Sequence, residues 1–186
     1  MIVLYVVVAL VVIVGLAYIL IYNGLVGARN KVDEAWSGID VQLKRRHDLV
    51  PNLVAAVKGY AEHERSTLDA VVEARSAAQS ASGPAAQGAA ENRLTGAIGP
   101  VLALAEQYPQ LRAVEGFTRL QDELAQLEDE IQAARRLYNG NVQSYTTKTQ
   151  VFPSSIVAAR GPFPPKELFA LSSPAEREVP SVDFGA

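Results

Sequence analysis

The sequence predicts an all-α protein: an N-terminal transmembrane helix, an antiparallel four-helix bundle and an extended Pro-rich C-terminal tail. Three observations lead to this fold class. No Asp, Glu, Lys or Arg occurs before Arg29. Apolar residues then recur at helical spacing as far as Val142, and beyond Val151 prolines are too frequent for a long helix. We therefore predict an anchor at residues 1–26, a bundle at 27–150 and a tail at 151–186 that packs partly on the bundle.

The N-terminal stretch reads MIVLYVVVALVVIVGLAYILIY. At about 1.5 Å per residue it is long enough to cross a hydrocarbon layer of roughly 30 Å. It is unbroken and lacks the alternation of a barrel strand, so we expect a helix. Tyr5 lies near one end and Tyr18 and Tyr22 near the other, where aromatic rings favour the headgroup layer. A cleaved signal peptide is the alternative, but no basic residue precedes the run and the run is longer than an h-region.

Positive residues follow the apolar run and do not precede it: Arg29, Lys31, Lys44, Arg45 and Arg46. Basic residues just beyond a membrane helix tend to stay in the cytoplasm. We therefore predict that the N-terminus lies outside and the body lies in the cytoplasm.

The composition limits the function classes. The chain has no Cys, so it can form neither a disulfide framework nor a thiolate metal site. A net charge of −3 argues against nucleic-acid binding. Alanine is abundant and β-branched runs are scarce outside the anchor, which favours helices in the body.

The first body helix is predicted from apolar residues at an alternating four-three spacing, as in a coiled-coil seam, with Arg46 in an intervening position. Its apolar residues are Val32, Trp36, Ile39, Leu43 and Val50. Pro51 ends or kinks this helix, because proline lacks an N–H and disfavours helical geometry at the preceding residue. A second helix follows and fades near Ala81, with its face formed by Leu53, Val54, Val57, Tyr60, Ala61, Leu68, Val71 and Val72.

We expect a loop from Ser80 to Gly88 and then a weaker third helix, because Gly96, Gly99 and Pro100 are poor helix-interior residues. The face of this helix comprises Leu94, Ile98, Val101, Leu102 and Ala105, and Tyr108-Pro109 stops it. The fourth helix is predicted from the longest run of apolar residues at helical spacing. These residues are Leu111, Val114, Phe117, Leu120, Leu124, Leu127, Ile131, Leu137 or Tyr138, and Val142.

If Pro51 makes a turn, up-down-up-down order brings the end of the fourth helix back toward the membrane. Tyr138, Tyr145 and the Phe152-Pro153 segment then lie near the bilayer beside Tyr22.

The run from Asn30 to Val54, NKVDEAWSGIDVQLKRRHDLVPNLV, closely resembles the LemA family. Further matching segments are Val57–Glu64, Ala105–Pro109, Arg135–Asn139, Phe152–Ala158 and Pro180–Phe184. The resemblance implies a single-pass protein of the bacterial inner (cytoplasmic) membrane with a helical cytoplasmic body. It implies no reaction. One branch of the family is associated with magnetosome membranes. Other members look like neighbours of membrane quality-control proteases, which points to envelope stress.

Two histidines, His47 and His63, are too few for a metal site or a catalytic dyad without further ligands, so we expect no enzyme activity, metal or cofactor. In the basic run Lys44, Arg45, Arg46 and His47, consecutive helical residues point about 100° apart and cannot all face water. Arg46 falls on the seam.

A buried Arg46 needs a carboxylate, and the candidates are Asp48, Glu64, Glu123 and Glu128. An internal ion pair that fixes helix register is favoured over a lipid-headgroup or partner contact. Trp36 also lies on the predicted seam and is expected to pack in the core. The complete set of structural or interaction candidates is Trp36, Lys44, Arg45, Arg46, His47, Pro51, Tyr138, Asn139, Phe152 and Pro153.

The sequence therefore favours a non-enzymatic membrane scaffold that self-associates, with envelope stress and membrane organisation as the candidate processes. The alternative is an adaptor that presents the bundle or the tail to a membrane protease or sensor protein. The expected partners are the lipid bilayer, other copies of the chain and such a membrane protein, with no nucleic acid.

Overall fold

The computed structural model describes residues 1–60, 64–112 and 114–170, leaving aside the side chains of residues 105, 106, 112 and 115. Within these residues the chain is all-helical, as predicted, with no strand. The helices in chain order are α1 (Ile2–Lys58), α2 (Arg65–Ser80), α3 (Pro84–Gln107), α4 (Pro109–Arg112), α5 (Glu115–Gln150) and α6 (Ser154–Ala158).

The chain forms two compact units. The first contains Met1–Asp40 and Gln132–Glu167, and the second contains Val41–Ile131 and the described residues from Leu168 onward. Helices α1 and α5 each contribute residues to both units. The domain boundaries predicted after residues 26 and 150 stay predictions.

Pro51 does not end the first helix, which rules out the first of the two alternatives, an end or a kink, that the sequence left open. Helix α1 runs from Ile2 through Pro51 to Lys58. Apart from His47, its buried side chains recur every three or four residues, and they are Leu25, Ala28, Val32, Ala35, Ile39, Leu43, Arg46, Val50, Leu53 and Val57. We call this set the α1 seam. Ala35 occupies the buried position that the sequence assigned to Trp36, and Trp36 is half-buried beside it.

A side chain from α2 accounts for the continuity of α1. Proline has no N–H, so the carbonyl four residues earlier, that of His47, loses its helical donor at Pro51. Nε of Arg75 donates a hydrogen bond to that carbonyl at 2.7 Å. The bond replaces the missing one, and Pro51 itself lies on the exposed side of the helix.

The connection between α2 and α3 is shorter than predicted, since only residues 81–83 separate the two helices. Gly83 has φ of 85°, a conformation that favours glycine, and Pro84 starts α3. Nε2 of Gln87 donates to the carbonyl of Ala78 and ties the start of α3 to the end of α2.

Helix α3 also continues through Pro100, which the sequence treated as a weakening residue. Pro100 and Gly96 both lie on the exposed face, where water can bond the carbonyl that Pro100 leaves without a donor. The helix ends at Gln107, and Tyr108 caps it before Pro109, as predicted.

The second unit has one apolar core, to which α1, α2, α3, α4 and α5 contribute. Its buried members are Val50, Leu53, Val57, Leu68, Val71, Ala78, Ala90, Leu94, Ile98, Val101, Leu104, Leu111, Phe117 and Leu124. In the first unit, α5 buries Tyr138 and leaves Leu137 exposed, which resolves the alternative that the sequence left open.

We predict that Arg75 and Pro51 are energetically coupled. Replacement of Arg75 by Met leaves the His47 carbonyl without a donor, at an expected cost of about 1–3 kcal/mol in the free energy of unfolding. In a Pro51→Ala background the residue 51 N–H supplies the helical bond, so the cost of Arg75→Met should fall by more than half. Chemical denaturation of the four chains of this double-mutant cycle measures the coupling.

The matched control is Arg93→Met on the exposed face of α3, which should change the unfolding free energy by no more than about 0.5 kcal/mol in either background. Equal costs of Arg75→Met with Pro51 and with Ala at that position would show that the two residues do not interact.

Candidate functional site

A buried polar cluster lies in the second unit, where two consecutive residues of α1 meet a carboxylate of α3. Arg46 is 4% exposed, His47 is 7% exposed and Glu91 is completely buried. Nε2 of His47 and Oε1 of Glu91 form a hydrogen bond of 2.7 Å. Nη1 of Arg46 lies 3.5 Å from Oε2 of Glu91, so one carboxylate faces both side chains.

Polar groups from α3 and α5 complete this cluster. Nη2 of Arg46 donates a hydrogen bond of 2.8 Å to Oγ1 of Thr95 and lies 3.4 Å from Oε2 of Glu128. Nε2 of Gln87 donates to Oε1 of Glu91 at 3.0 Å. The guanidinium of Arg46 therefore faces two carboxylates, one fully buried and one half-exposed.

The cluster realises the expected internal ion pair, with one predicted partner and one that the sequence reading missed. Glu128 was among the four candidate carboxylates, whereas Asp48, Glu64 and Glu123 form no ion pair with Arg46 within the described residues. Glu91 was missed because the loop was predicted to reach Gly88 and the α3 face to begin at Leu94. The signal was present, since Glu91 lies one helical turn before Leu94 on the same buried face.

The charged groups of this cluster pair with one another inside the second unit. A cleft of about 290 Å³ lies beside Arg46, and Arg46 and Glu128 are the ionisable residues among its described lining. No group of three or more metal-ligating side chains occurs within the residues that the structure describes. The absence of enzyme activity, metals and cofactors stays a prediction.

Helix geometry places two residues of the predicted basic run on the surface and the other two in the interior. Lys44 and Arg45 are exposed, while Arg46 and His47 are buried. Nη1 of Arg45 pairs with Oε2 of Glu130 at 2.8 Å on the surface. The two halves of the basic run therefore have different surroundings. The second histidine considered from the sequence, His63, lies outside the described residues.

A second set of contacts lies in the first unit, where residues 162–167, which we call the strap, meet α1 and α5. Both buried tyrosines of α5 donate to strap carbonyls: the hydroxyl of Tyr138 to Glu167 at 2.8 Å and that of Tyr145 to Pro164 at 2.8 Å. Nζ of Lys166 pairs with Oδ1 of Asp33 on α1 at 2.7 Å.

Aromatic rings add to the contacts of the strap. The ring of Phe163 makes an edge contact with Tyr22 at 5.4 Å between centroids, and the guanidinium of Arg29 lies 5.9 Å from the centre of the same ring. Trp36 packs against Tyr138, also at 5.4 Å between centroids. Trp36 therefore packs on an aromatic ring but is half-buried, and it does not hold the core position that the sequence predicted for it.

Burial shifts the titration of both tyrosines. It raises the pKa of Tyr138 above its ordinary value, and the negative charges of Asp33 and Glu167 act in the same direction. Burial also raises the pKa of Tyr145, against the positive charge of Arg29 and together with the negative charge of Asp33. Each phenol keeps the proton that it donates to the strap.

The remaining candidates from the sequence, Asn139, Phe152 and Pro153, belong to the first unit. Asn139 is half-buried on α5 in the first unit. Phe152 is 80% exposed just after α5, and a cis peptide bond joins it to the exposed Pro153. Their roles as interaction residues stay predictions.

Comparisons with known proteins agree with the sequence resemblance. A family model described as the LemA family matches residues 35–184. A relative described as Protein LemA, from Metamycoplasma hominis, is 28% identical over 142 residues, which cover 74% of this chain and 64% of the relative. The matched chain thus spans less than two thirds of the length of that relative.

We predict that two adjacent arginines of α1 differ sharply in their effect on stability. Arg46→Met removes one partner of a buried ion pair and should lower the free energy of unfolding by about 3–5 kcal/mol. The matched control is Arg45→Met, which removes an exposed pair and should cost about 0–1 kcal/mol. Chemical denaturation in detergent gives both values, and similar costs for the two variants would contradict the role assigned to Glu91.

We also predict an alkaline loss of stability that depends on the strap tyrosines. Because the folded-state pKa of Tyr138 is raised, its contribution is complete below the unfolded value of about 10 and is lost as pH rises through the folded pKa. Tyr138→Phe should cost about 0.5–1.5 kcal/mol at neutral pH, the value of one hydrogen bond. It should also make the decline of unfolding free energy above about pH 10 less steep. Identical slopes for the two chains above that pH would refute the assignment.

Proposed function

Because the chain belongs to the LemA family, we propose that it is a non-enzymatic, membrane-anchored scaffold. In this proposal α1 spans the bacterial inner membrane, and the body self-associates at the cytoplasmic face. One observation carries the proposal: every residue of the charge-free N-terminal third of α1 is exposed.

The exposure of this segment supports an anchor. Every residue from Met1 to Leu20 is exposed, and these residues are almost all large and apolar. The most apolar 18-residue window of α1 has a mean hydropathy of 3.0 and no buried share, and within the described residues α1 is the helix long and apolar enough to cross a membrane. An exposed apolar surface of this size is unfavourable in water, and a bilayer removes it from water.

The charge distribution supports the orientation. Arg29 and Lys31 follow the apolar segment closely, and Lys44 and Arg45 follow on the exposed side of α1. Because such residues are retained on the cytoplasmic side, the body lies in the cytoplasm and the N-terminus outside.

A four-helix bundle is the proposed form of the body. Its support is the shared core of the second unit, which combines residues of α1, α2, α3 and α5. Self-association is supported by charges of opposite sign on exposed helix positions: Asp122, Glu123 and Asp129 on α5, and Lys44 and Lys58 on α1. Pairing of such faces between copies forms ion-pair networks that weaken with salt.

We predict that two charges in the apolar segment release the protein from the membrane. Val11→Lys combined with Ile13→Lys should abolish retention in the pellet after a carbonate wash, since each charge near the bilayer centre costs about 2.5–3.5 kcal/mol. The wild-type chain should remain in the pellet, and its body should be digested only when protease reaches the cytoplasmic face of sealed vesicles. The matched control, Val41→Lys at an exposed apolar position of the body, should fractionate like the wild type.

The same preparation tests self-association. Extracted in mild detergent at micromolar concentration, the wild-type chain should give a native mass above that of a monomer, and the mass should fall as salt is raised. A monomer at low salt would overturn the scaffold and leave the adaptor as the better reading. A wild-type chain that leaves the pellet after the wash would overturn the anchor itself.

A further inference from the structure

The segment that follows α5 presents three exposed apolar side chains within six residues of the chain. Phe152 is 80% exposed, Val151 48% and Ile156 47%, while Val157 and Ala158 of the same short helix α6 are buried. We call Val151, Phe152 and Ile156 the wedge. One side of this segment therefore packs within the first unit, and the other side offers apolar groups to its surroundings.

The register of α5 against α1 fixes the level of the wedge. Nδ2 of Asn141 donates to the carbonyl of Lys31 at 3.0 Å, and Trp36 packs on Tyr138. Between these two contacts the residue number rises on α1 and falls on α5, so the helices run antiparallel. Nine residues beyond the contact between Lys31 and Asn141, the last residue of α5 lies level with Tyr22, because each helix advances by about 1.5 Å per residue.

The return of the chain after α6 gives the same level independently. Phe163 contacts the ring of Tyr22 at 5.4 Å between centroids. The segment from Val151 to Phe163 therefore begins level with Tyr22 and ends in contact with it. Tyr22 is half-buried, and every residue before Ile21 is exposed, so the wedge lies where the unpacked apolar part of α1 begins.

The charges around the wedge match a lipid headgroup layer. Lys148 lies in the last turn of α5 and Arg160 lies shortly after α6, and both are exposed. Basic side chains beside apolar groups are the pattern of interfacial membrane contacts, in which the apolar groups enter the boundary between headgroups and acyl chains.

We infer that the wedge is a second membrane contact of this protein, in which Val151, Phe152 and Ile156 insert into the interfacial layer of the bilayer that α1 enters. This inference rests on the proposed anchoring by α1. It adds a surface at which the cytoplasmic body itself touches lipid, and it fixes the first unit against the bilayer at two points of the chain.

The test uses the full chain with a fluorophore at single positions, which is direct because the natural sequence has no Cys. Four separate variants, Leu10→Cys, Phe152→Cys, Ile156→Cys and Leu137→Cys, carry the same polarity-sensitive label. Each is reconstituted into vesicles of phosphatidylcholine and phosphatidylglycerol. Leu137 is the matched control, because it is an apolar residue of α5 that is 61% exposed. It lies about four helical turns, or roughly 20 Å, before the wedge.

Labels at residues 152 and 156 should be blue-shifted relative to the label at 137. They should be quenched by lipids with a nitroxide near the headgroup and shielded from aqueous iodide. The label at 137 should show the opposite pattern, and the label at 10 should be quenched by nitroxides deep in the acyl chain. Circular dichroism of each variant checks that the helices are retained.

Each other pattern has a defined meaning. Deep quenching at 10 with labels at 152 and 156 that behave like the one at 137 overturns the wedge and leaves the anchor intact. Shielding of 152 and 156 from iodide without quenching by lipid nitroxides shows a protein occupant, and also overturns the wedge. Lipid quenching at residue 137 equal to that at residue 152 would show that the lipid contact is not specific to the wedge, and this also overturns the inference. Absence of lipid quenching at 10 overturns the anchor, and the wedge with it.

Discussion

The α1 seam is the constraint on which both compact units depend. Its buried side chains keep a spacing of three or four residues from Leu25 to Val57, so one face of one helix serves the first unit and then the second. A break at Pro51 would rotate the later seam residues away from that face. The bond from Arg75 to the His47 carbonyl lets the helix pass proline and keeps Leu53 and Val57 in phase with Val50.

The seam contains one charge, and the interior is organised around it. An apolar seam tolerates sliding, because hydrophobic contacts have no direction. A buried guanidinium does not, since it needs a carboxylate at a defined position. Glu91 meets Arg46 and His47 together, and Gln87 and Thr95 bind the same groups, so α3 has one register in which these polar atoms are paired. Specificity of packing is the physical role that this arrangement serves best.

The first unit is held together differently, because the chain beyond α5 returns to α1 and contacts it. Tyr138 and Tyr145 present their hydroxyls to carbonyls of the strap, and Phe163 reaches Tyr22. A Pro-rich segment has few N–H donors and leaves many carbonyls free, so tyrosine hydroxyls are suitable partners for it. The same return places exposed apolar residues level with the end of the packed part of α1, and from this position we infer the second membrane contact.

The sequence by itself determined the helical class, the charge-free N-terminal segment and most of the buried face of each helix, because hydrophobic periodicity is local and survives in any packing. It also indicated that Arg46 needs a carboxylate, since burial of an unpaired charge is costly. Only the tertiary structure decided that Glu91 supplies one and that α1 continues through Pro51. Both depend on side chains brought from other helices, Glu91 from α3 and Arg75 from α2, and no pattern within a single helix encodes which distant residue will complete its missing bonds.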